Sequence, residues 1–292
     1  MTKDRTMGNI GVIILSHNSV NNVLTYDMLS KMKCDLPIHI LIDDEDDVSA
    51  YENRFEDKLL VYSKKDVASR CDTFIGGDRN LPCAMVARNA ALEKARELGY
   101  SYLVLLDDDI KRLQYVYDNE GHLGRSEIKS FGSVIRAVVN FMFSGQILAT
   151  SFSFRASYFG GVNGQFFNKR LIQNGLAQVW IIDTTHEQSF RGKILEDGVY
   201  CYDSAQSGQV CFRITDLCFD ALPMGDRPNK KEGLGETYNK YSELAFNFLL
   251  LPHPSILRVK HNEKAVPTYG HNMPYVNMNY ACPKIISGRY KK

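Results

Sequence analysis

The stretch SYLVLLDDD, residues 101–109, constrains this chain more than any other. Tyr102 to Leu106 form an unbroken apolar run, the pattern of a strand buried on both faces. The run then stops at three adjacent carboxylates, Asp107, Asp108 and Asp109. Neighbouring like charges repel and are tolerated when a cation sits among them. Alternate residues of a strand point the same way, so Asp107 and Asp109 can converge on one point. Two convergent carboxylates are hard oxygen ligands suited to Mg²⁺ or Mn²⁺. The plainer alternative is a solvated acidic turn ahead of the next element.

Two earlier segments repeat the design. NIGVIILSHN (9–18) is an apolar run ending in polar residues, and LPIHILIDDEDD (36–47) is another ending in carboxylates. DKLLVYSK (57–64) reads as a shorter third strand. Helices are expected from about 22 to 32 and from 80 to 100, the second opened by Pro82 and closed by Gly99. This alternation of strands and helices predicts an α/β fold with an open, mostly parallel sheet covered on both faces. Ligands of such sheets bind outside the carboxyl ends of the strands. Ser16, His17 and Asn18, then Asp43 and Asp44, then Asp107 to Asp109 should therefore line one crevice.

The second half is less regular. A helix is expected over 125–145, with strands at 146–154, 177–185 and 254–262. Between them lie a glycine- and aromatic-rich loop at 157–170 and a glycine- and proline-rich loop at 223–236. Glu196 and Asp197 stand just before a predicted short helix. A carboxylate held against an apolar wall can be tuned to take a proton from a hydroxyl, although acidic residues also suit helix N-termini for purely structural reasons.

Other positions have chemical uses too. Asp43 can accept hydrogen bonds from a base or a ribose, whereas the run Asp43 to Asp47 as a whole reads as a solvated loop with an N-cap at Asp47. Arg88 lies on a helix with a strong apolar stripe; it is either paired with a carboxylate of the acidic cluster or a diphosphate, or it is a surface arginine like its neighbours in LEKARE. Of the late histidines His253, His261 and His271, each reads first as a surface or satisfied histidine; His261, placed on a predicted strand, is the one that could complete a metal shell.

Several function classes fall away. The formal net charge is +1, so no global field points to a polyanion, although the chain from Pro254 onward is locally basic. No apolar run approaches a membrane span, and the N-terminus has no apolar signal region. The seven scattered cysteines form no C-x-x-C pair, which points to a reducing cytoplasm rather than to disulfides or zinc. There is no P-loop, G-x-G-x-x-G, G-x-S-x-G or H-E-x-x-H. A nucleotidyltransferase would want a glycine- and lysine/arginine-rich loop after the first strand, and SHNSVNNV has none.

Taken together, LSHN, IDDEDD, ARNAAL, LLDDDI, LEDG and VKHN resemble a GT-A glycosyltransferase. The helix P-x-x-x-x-A-R-N-A-A leading into YLVLLDDDI is similar to the TET-associated glycosyltransferases of phages and their relatives, which glycosylate hydroxymethylated pyrimidines in DNA. The resemblance implies one GT-A domain over 1–292, with a Rossmann-like nucleotide-sugar half at 9–113 and an irregular acceptor half at 114–292. It implies Ser16, Asn18, Asp43, Arg88 and Asp108 at a UDP-sugar donor, and Asp107, Asp109 and His261 on Mn²⁺ or Mg²⁺. Asp197 would be the general base of an inverting reaction, with Glu196 orienting it or the acceptor. The implied acceptor is a flipped or single-stranded modified DNA base, with a protein or glycan acceptor as the alternative. Tyr158, Phe159, Phe166 and Phe167, with Lys169, Arg170, Arg227, Lys230, Lys231 and the basic tail, are candidates to rim such a site, although each taken singly reads better as a core or solvated-loop residue. The implied location is the cytoplasm, that of the host if the protein is phage-encoded.

Overall fold

The computed structural model describes residues 8–73, 84–168, 171–172, 176, 178–193, 195–222, 257–266 and 270–276. Pro82, Lys169, Arg170, His253, the loop 223–236 and the basic end from 277 lie outside the described residues.

The nucleotide half follows the predicted alternation. β1 (Ile10–Leu15), α1 (Leu24–Lys31), β2 (Ile38–Asp43), α2 (Val48–Phe55), β3 (Leu59–Tyr62), α3 (Lys64–Arg70), α4 (Ala84–Glu97) and β4 (Tyr102–Asp107) succeed one another. Strands β3, β2, β1 and β4 lie side by side and run parallel. Gly99 closes α4 in the left-handed region, at φ 74°. There the Gly99 amide donates to Arg96 O and the Tyr100 amide to Ala95 O, which satisfies the last carbonyls of the helix.

The second half extends the same sheet. It contributes β5 (Ile110–Asn119), β6 (His122–Glu127), α5 (Phe131–Gly145), β7 (Ala149–Phe154), α6 (Gln165–Asn168), β8 (Leu171–Ile172), β9 (Val179–Asp183), α7 (Glu196–Gln206) and β10 (Cys211–Ala221). The strand order is β3-β2-β1-β4-β9-β7-β10-β5-β6, with β8 on β10. β9 runs antiparallel to both β4 and β7, while β10 is parallel to β7. β7 and β10 therefore end at the same sheet edge as β4. β11 (Leu257–Val266) and β12 (Gly270–Val276) form a separate two-stranded sheet.

Strands β5, β6, β8, β10 and β12 were not foreseen from the sequence. β5 and β6 form a hairpin whose central residues, Glu120 and Gly121, both have positive φ, the turn that suits a twisted hairpin. β5 alternates only loosely, burying Leu113, Gln114 and Val116 between exposed residues. The hairpin occupies what was expected to be the start of a helix, so α5 begins only at Phe131. β10 pairs with β7 with a shift in register between Ile214 and Cys218. Its apolar alternation breaks at that point, which hid it.

The sheet separates two cores. Val12, Ile14, Ile40, Ile42, Val104 and Leu106 pack with α1, α2 and α5 on one face. Ile13, Leu41, Leu103, Leu105 and Trp180 pack with α4 and α7 on the other. Burial on both faces explains the unbroken apolar runs of β1 and β4.

Candidate active site

The end of β2 is acidic, and the protein itself supplies the partners. Asp47 caps α2, its carboxylate accepting from the Ala50 amide at 3.1 Å. Asp44 accepts from the Lys64 amide at 2.9 Å. Asp46, 7% exposed, accepts from the Asn18 amide at 2.8 Å and lies 3.2 Å from His17 Nδ1. That bond holds Asn18 at φ 48°, a left-handed conformation that asparagine tolerates. Asp43, 6% exposed, accepts from the Glu45 amide at 3.0 Å and has Lys64 Nζ at 3.7 Å. Burial pushes the Asp43 carboxyl above its ordinary value while Lys64 pulls it back. The hydrogen bond to Asp46 raises the His17 imidazole above its ordinary value. His17, Asp43 and Asp46 are the one group of such side chains, among the described residues, whose ligand atoms all lie within 4.8 Å of one another.

The end of β4 is built differently. Asp107 and Asp108 are half-buried, and Asp109 is buried. Ser16 Oγ donates to Asp108 Oδ2 at 3.1 Å and lies 2.8 Å from the Tyr51 hydroxyl. The same hydroxyl accepts from the Ser19 amide at 2.9 Å, so Tyr51 of α2 ties the β1 loop to the acidic turn. From α1, the fully buried Thr25 reaches the backbone of the turn. Neither Tyr51 nor Thr25 was singled out in the sequence. Each is the type of residue that buries a hydroxyl only with a partner, but nothing in sequence spacing names that partner.

Across the sheet, Arg88 and Glu196 meet. Arg88 Nη1 donates to Glu196 Oε1 at 2.9 Å, with both side chains buried. The guanidinium lies 5.6 Å from the ring centroids of Trp180 and of Phe190. A carboxylate is one of the anionic partners expected for Arg88, and Glu196 of α7 supplies one. Burial pushes Glu196 up to about 7, against the pull of Arg88 and helped by the charges of Asp197 and Asp107. Asp107 of β4 and the Glu196-Asp197 pair, far apart in sequence, are thus close enough to act on one another.

Glu196 and Asp197 are the first two residues of α7, not residues ahead of it. Leu195, the residue before them, sits at φ 56°, a left-handed conformation that costs a branched side chain on the order of 1 kcal/mol. Asp197 is half-buried, and its carboxylate accepts from the Gly198 amide at 2.7 Å. Arg213 of β10, absent from the sequence reading, is also half-buried. Burial lowers its pKa, and the charge of Asp197 acts on it.

The remaining expectations separate. Tyr158 is buried and donates to Thr215 O at 2.6 Å, and Phe167 is buried beside it. Phe166 is half-buried and meets Tyr158 edge-on at 5.1 Å. Of the four aromatics only Phe159, at 85% exposure, is presented to solvent. His261 is exposed on β11, and no described cluster unites it with Asp107 and Asp109. Those two aspartates are all-oxygen donors on a braced turn, a donor set that fits a hard divalent cation.

No helix among the described residues is long and apolar enough to cross a membrane. No curated protein matches the chain. Among solved structures it is similar to glucosyl-3-phosphoglycerate synthase from Mycobacterium tuberculosis in complex with Mn²⁺ and UDP-glucose, at 10% identity and TM-score 0.48, covering 94% of this chain and 92% of that one. It is also similar to A197 from STIV, at 13% identity and TM-score 0.40, covering 74% of this chain and 86% of that one. The TET-associated glycosyltransferase family model matches residues 10–221, which include both acidic strand ends and the Glu196-Asp197 pair. The chain belongs to the TET-associated glycosyltransferase family and is a glycosyltransferase.

Proposed function

We propose that this glycosyltransferase moves a sugar from a UDP-sugar to a hydroxyl acceptor in a divalent-metal-dependent reaction, and that the acceptor is a 5-hydroxymethylpyrimidine in DNA. One observation supports the reading: the buried Glu196, paired with Arg88 at the start of α7, lies within electrostatic reach of Asp107 at the end of β4 as well as of its neighbour Asp197.

In this reading Asp107 and Asp109 hold Mn²⁺ or Mg²⁺. Held there, such an ion would supply positive charge against that of the departing diphosphate. Ser16, Asn18 and Asp43 face the nucleoside, and Asp108 faces the ribose. Asp197 takes the proton from the acceptor hydroxyl as the hydroxyl oxygen attacks the anomeric carbon. Glu196 and Arg88 fix the first turn of α7, so that Asp197 is held in place. The exposed Phe159 is suited to stacking on an unpaired base.

The test is UDP release from UDP-glucose with Mn²⁺, together with mass analysis of an oligonucleotide carrying 5-hydroxymethylcytosine. Mn²⁺-dependent UDP release and a mass gain of one hexose are expected. DNA binding should weaken steeply with salt. Release without a mass gain on DNA would contradict the acceptor, and metal-independent release would contradict the metal.

A further inference from the structure

We propose that Thr25 is a positioning residue: its hydroxyl and amide brace the backbone of the Asp107–Asp109 turn and so set the affinity of that turn for a divalent ion. The inference rests on the metal-dependent reading above.

Thr25 lies in the first turn of α1 and is fully buried. Its Oγ1 donates to Asp107 O at 2.6 Å. The same oxygen accepts from the Ile110 amide at 3.0 Å. The Thr25 amide donates to Asp108 O at 3.1 Å. Three hydrogen bonds from one residue thus fix peptide groups along the whole turn, two through the hydroxyl and one through the backbone. On the far side of the turn, the Leu222 amide donates to Asp109 O at 3.1 Å. The turn is gripped at its carbonyls, and none of these bonds uses a carboxylate oxygen.

The brace also sets a distance. α1 follows the loop from Ser16 to Val23, the polar end of β1. Ser16 bonds Asp108 from that loop. Thr25 therefore locks the acidic turn to the loop that faces the nucleoside in this reading. An ion shared between the turn and a diphosphate needs these two segments in fixed register, because Mg²⁺ and Mn²⁺ sites tolerate little change in ligand geometry.

Valine matches threonine in shape but lacks the hydroxyl, so Thr25→Val leaves Asp107 O and the Ile110 amide without that partner. Serine keeps the hydroxyl. The experiment titrates Mn²⁺ into the full-length protein saturated with UDP, by calorimetry, for wild type, Thr25→Val and Thr25→Ser. Thr25→Val should bind Mn²⁺ at least about tenfold more weakly, and Thr25→Ser within about threefold of wild type. Thr25→Ala, where a water can take the place of the hydroxyl, should also weaken binding and serves if Thr25→Val does not fold. Hydrogen exchange at the Ile110 amide should quicken in Thr25→Val and Thr25→Ala and not in Thr25→Ser. Wild-type affinity in a folded Thr25→Val or Thr25→Ala variant overturns the role of Thr25 alone. A wild type that binds no Mn²⁺ with UDP overturns the functional reading and this inference with it.

Discussion

The ends of β2 and β4 are both rich in aspartate, and they solve the problem of crowded charge in different ways. At β2, Asp43, Asp44, Asp46 and Asp47 each accept a backbone amide, and Lys64 and His17 supply positive charge beside them. At β4, the protein binds the backbone of the turn through Thr25 and sets Asp107 close to a further carboxylate, Glu196. At β2 the fold supplies counter-charge to the carboxylates themselves, whereas at β4 it braces the backbone of the turn, and the neighbouring Glu196 has its own counter-charge in Arg88. In the proposed reading it is the β4 turn that takes the cation.

The contrast can be broken by substitution on either side. Asp197→Asn should lower transfer by roughly 10²–10⁴-fold, the usual worth of a positioned base, and leave donor affinity and the melting temperature near wild type. Steady-state kinetics with donor and acceptor varied separately would show it. Next in size, Arg88→Met strands Glu196 in a buried site and should cost about 3–5 kcal/mol in urea unfolding. A loss no larger than that of a surface ion pair would mean that the Arg88–Glu196 contact is not the tie between α4 and α7.

The pH dependence of stability sharpens the same point. Burial raises Glu196 to about 7, so between its ordinary value of 4.5 and about 7 the folded state binds more protons than the unfolded one. Stability should fall as pH rises through that window, and Glu196→Gln should flatten the slope. Melting curves from pH 4.5 to 7.5 would test this, and an unchanged slope in Glu196→Gln would sink it. The smallest effect belongs to β2. Asp47→Ala removes an N-cap and should cost about 1 kcal/mol with turnover unchanged.

Much of this frame was readable in the sequence, for physical reasons. Strands buried on both faces announce themselves as unbroken apolar runs, so β1, β2 and β4 were found with their polar ends. Gly99 and Asp47 were found because caps need particular residue types. β5, β6 and β10 were missed: the hairpin has one wet face, and the shifted register of β10 breaks its alternation. Within the site, Asp107, Glu196 and Asp197 were read as one group, and the structure sets them within electrostatic reach. The pairing of Arg88 with Glu196 depends on how α4 and α7 cross the sheet, which no local spacing encodes. The grip of Thr25 on the acidic turn was invisible for the same reason, since its partners are backbone groups that every residue carries.

In the proposed reading the divalent ion belongs to the β4 end and not to the β2 end, even though His17, Asp43 and Asp46 are close enough together to hold one. Electron paramagnetic resonance of free Mn²⁺, measured with UDP present, tests it in three proteins. Wild type and Asp46→Asn should each remove one equivalent of Mn²⁺ from solution, and Asp109→Asn should remove none. Binding that survives in Asp109→Asn but is lost in Asp46→Asn would contradict the account and move the metal to β2.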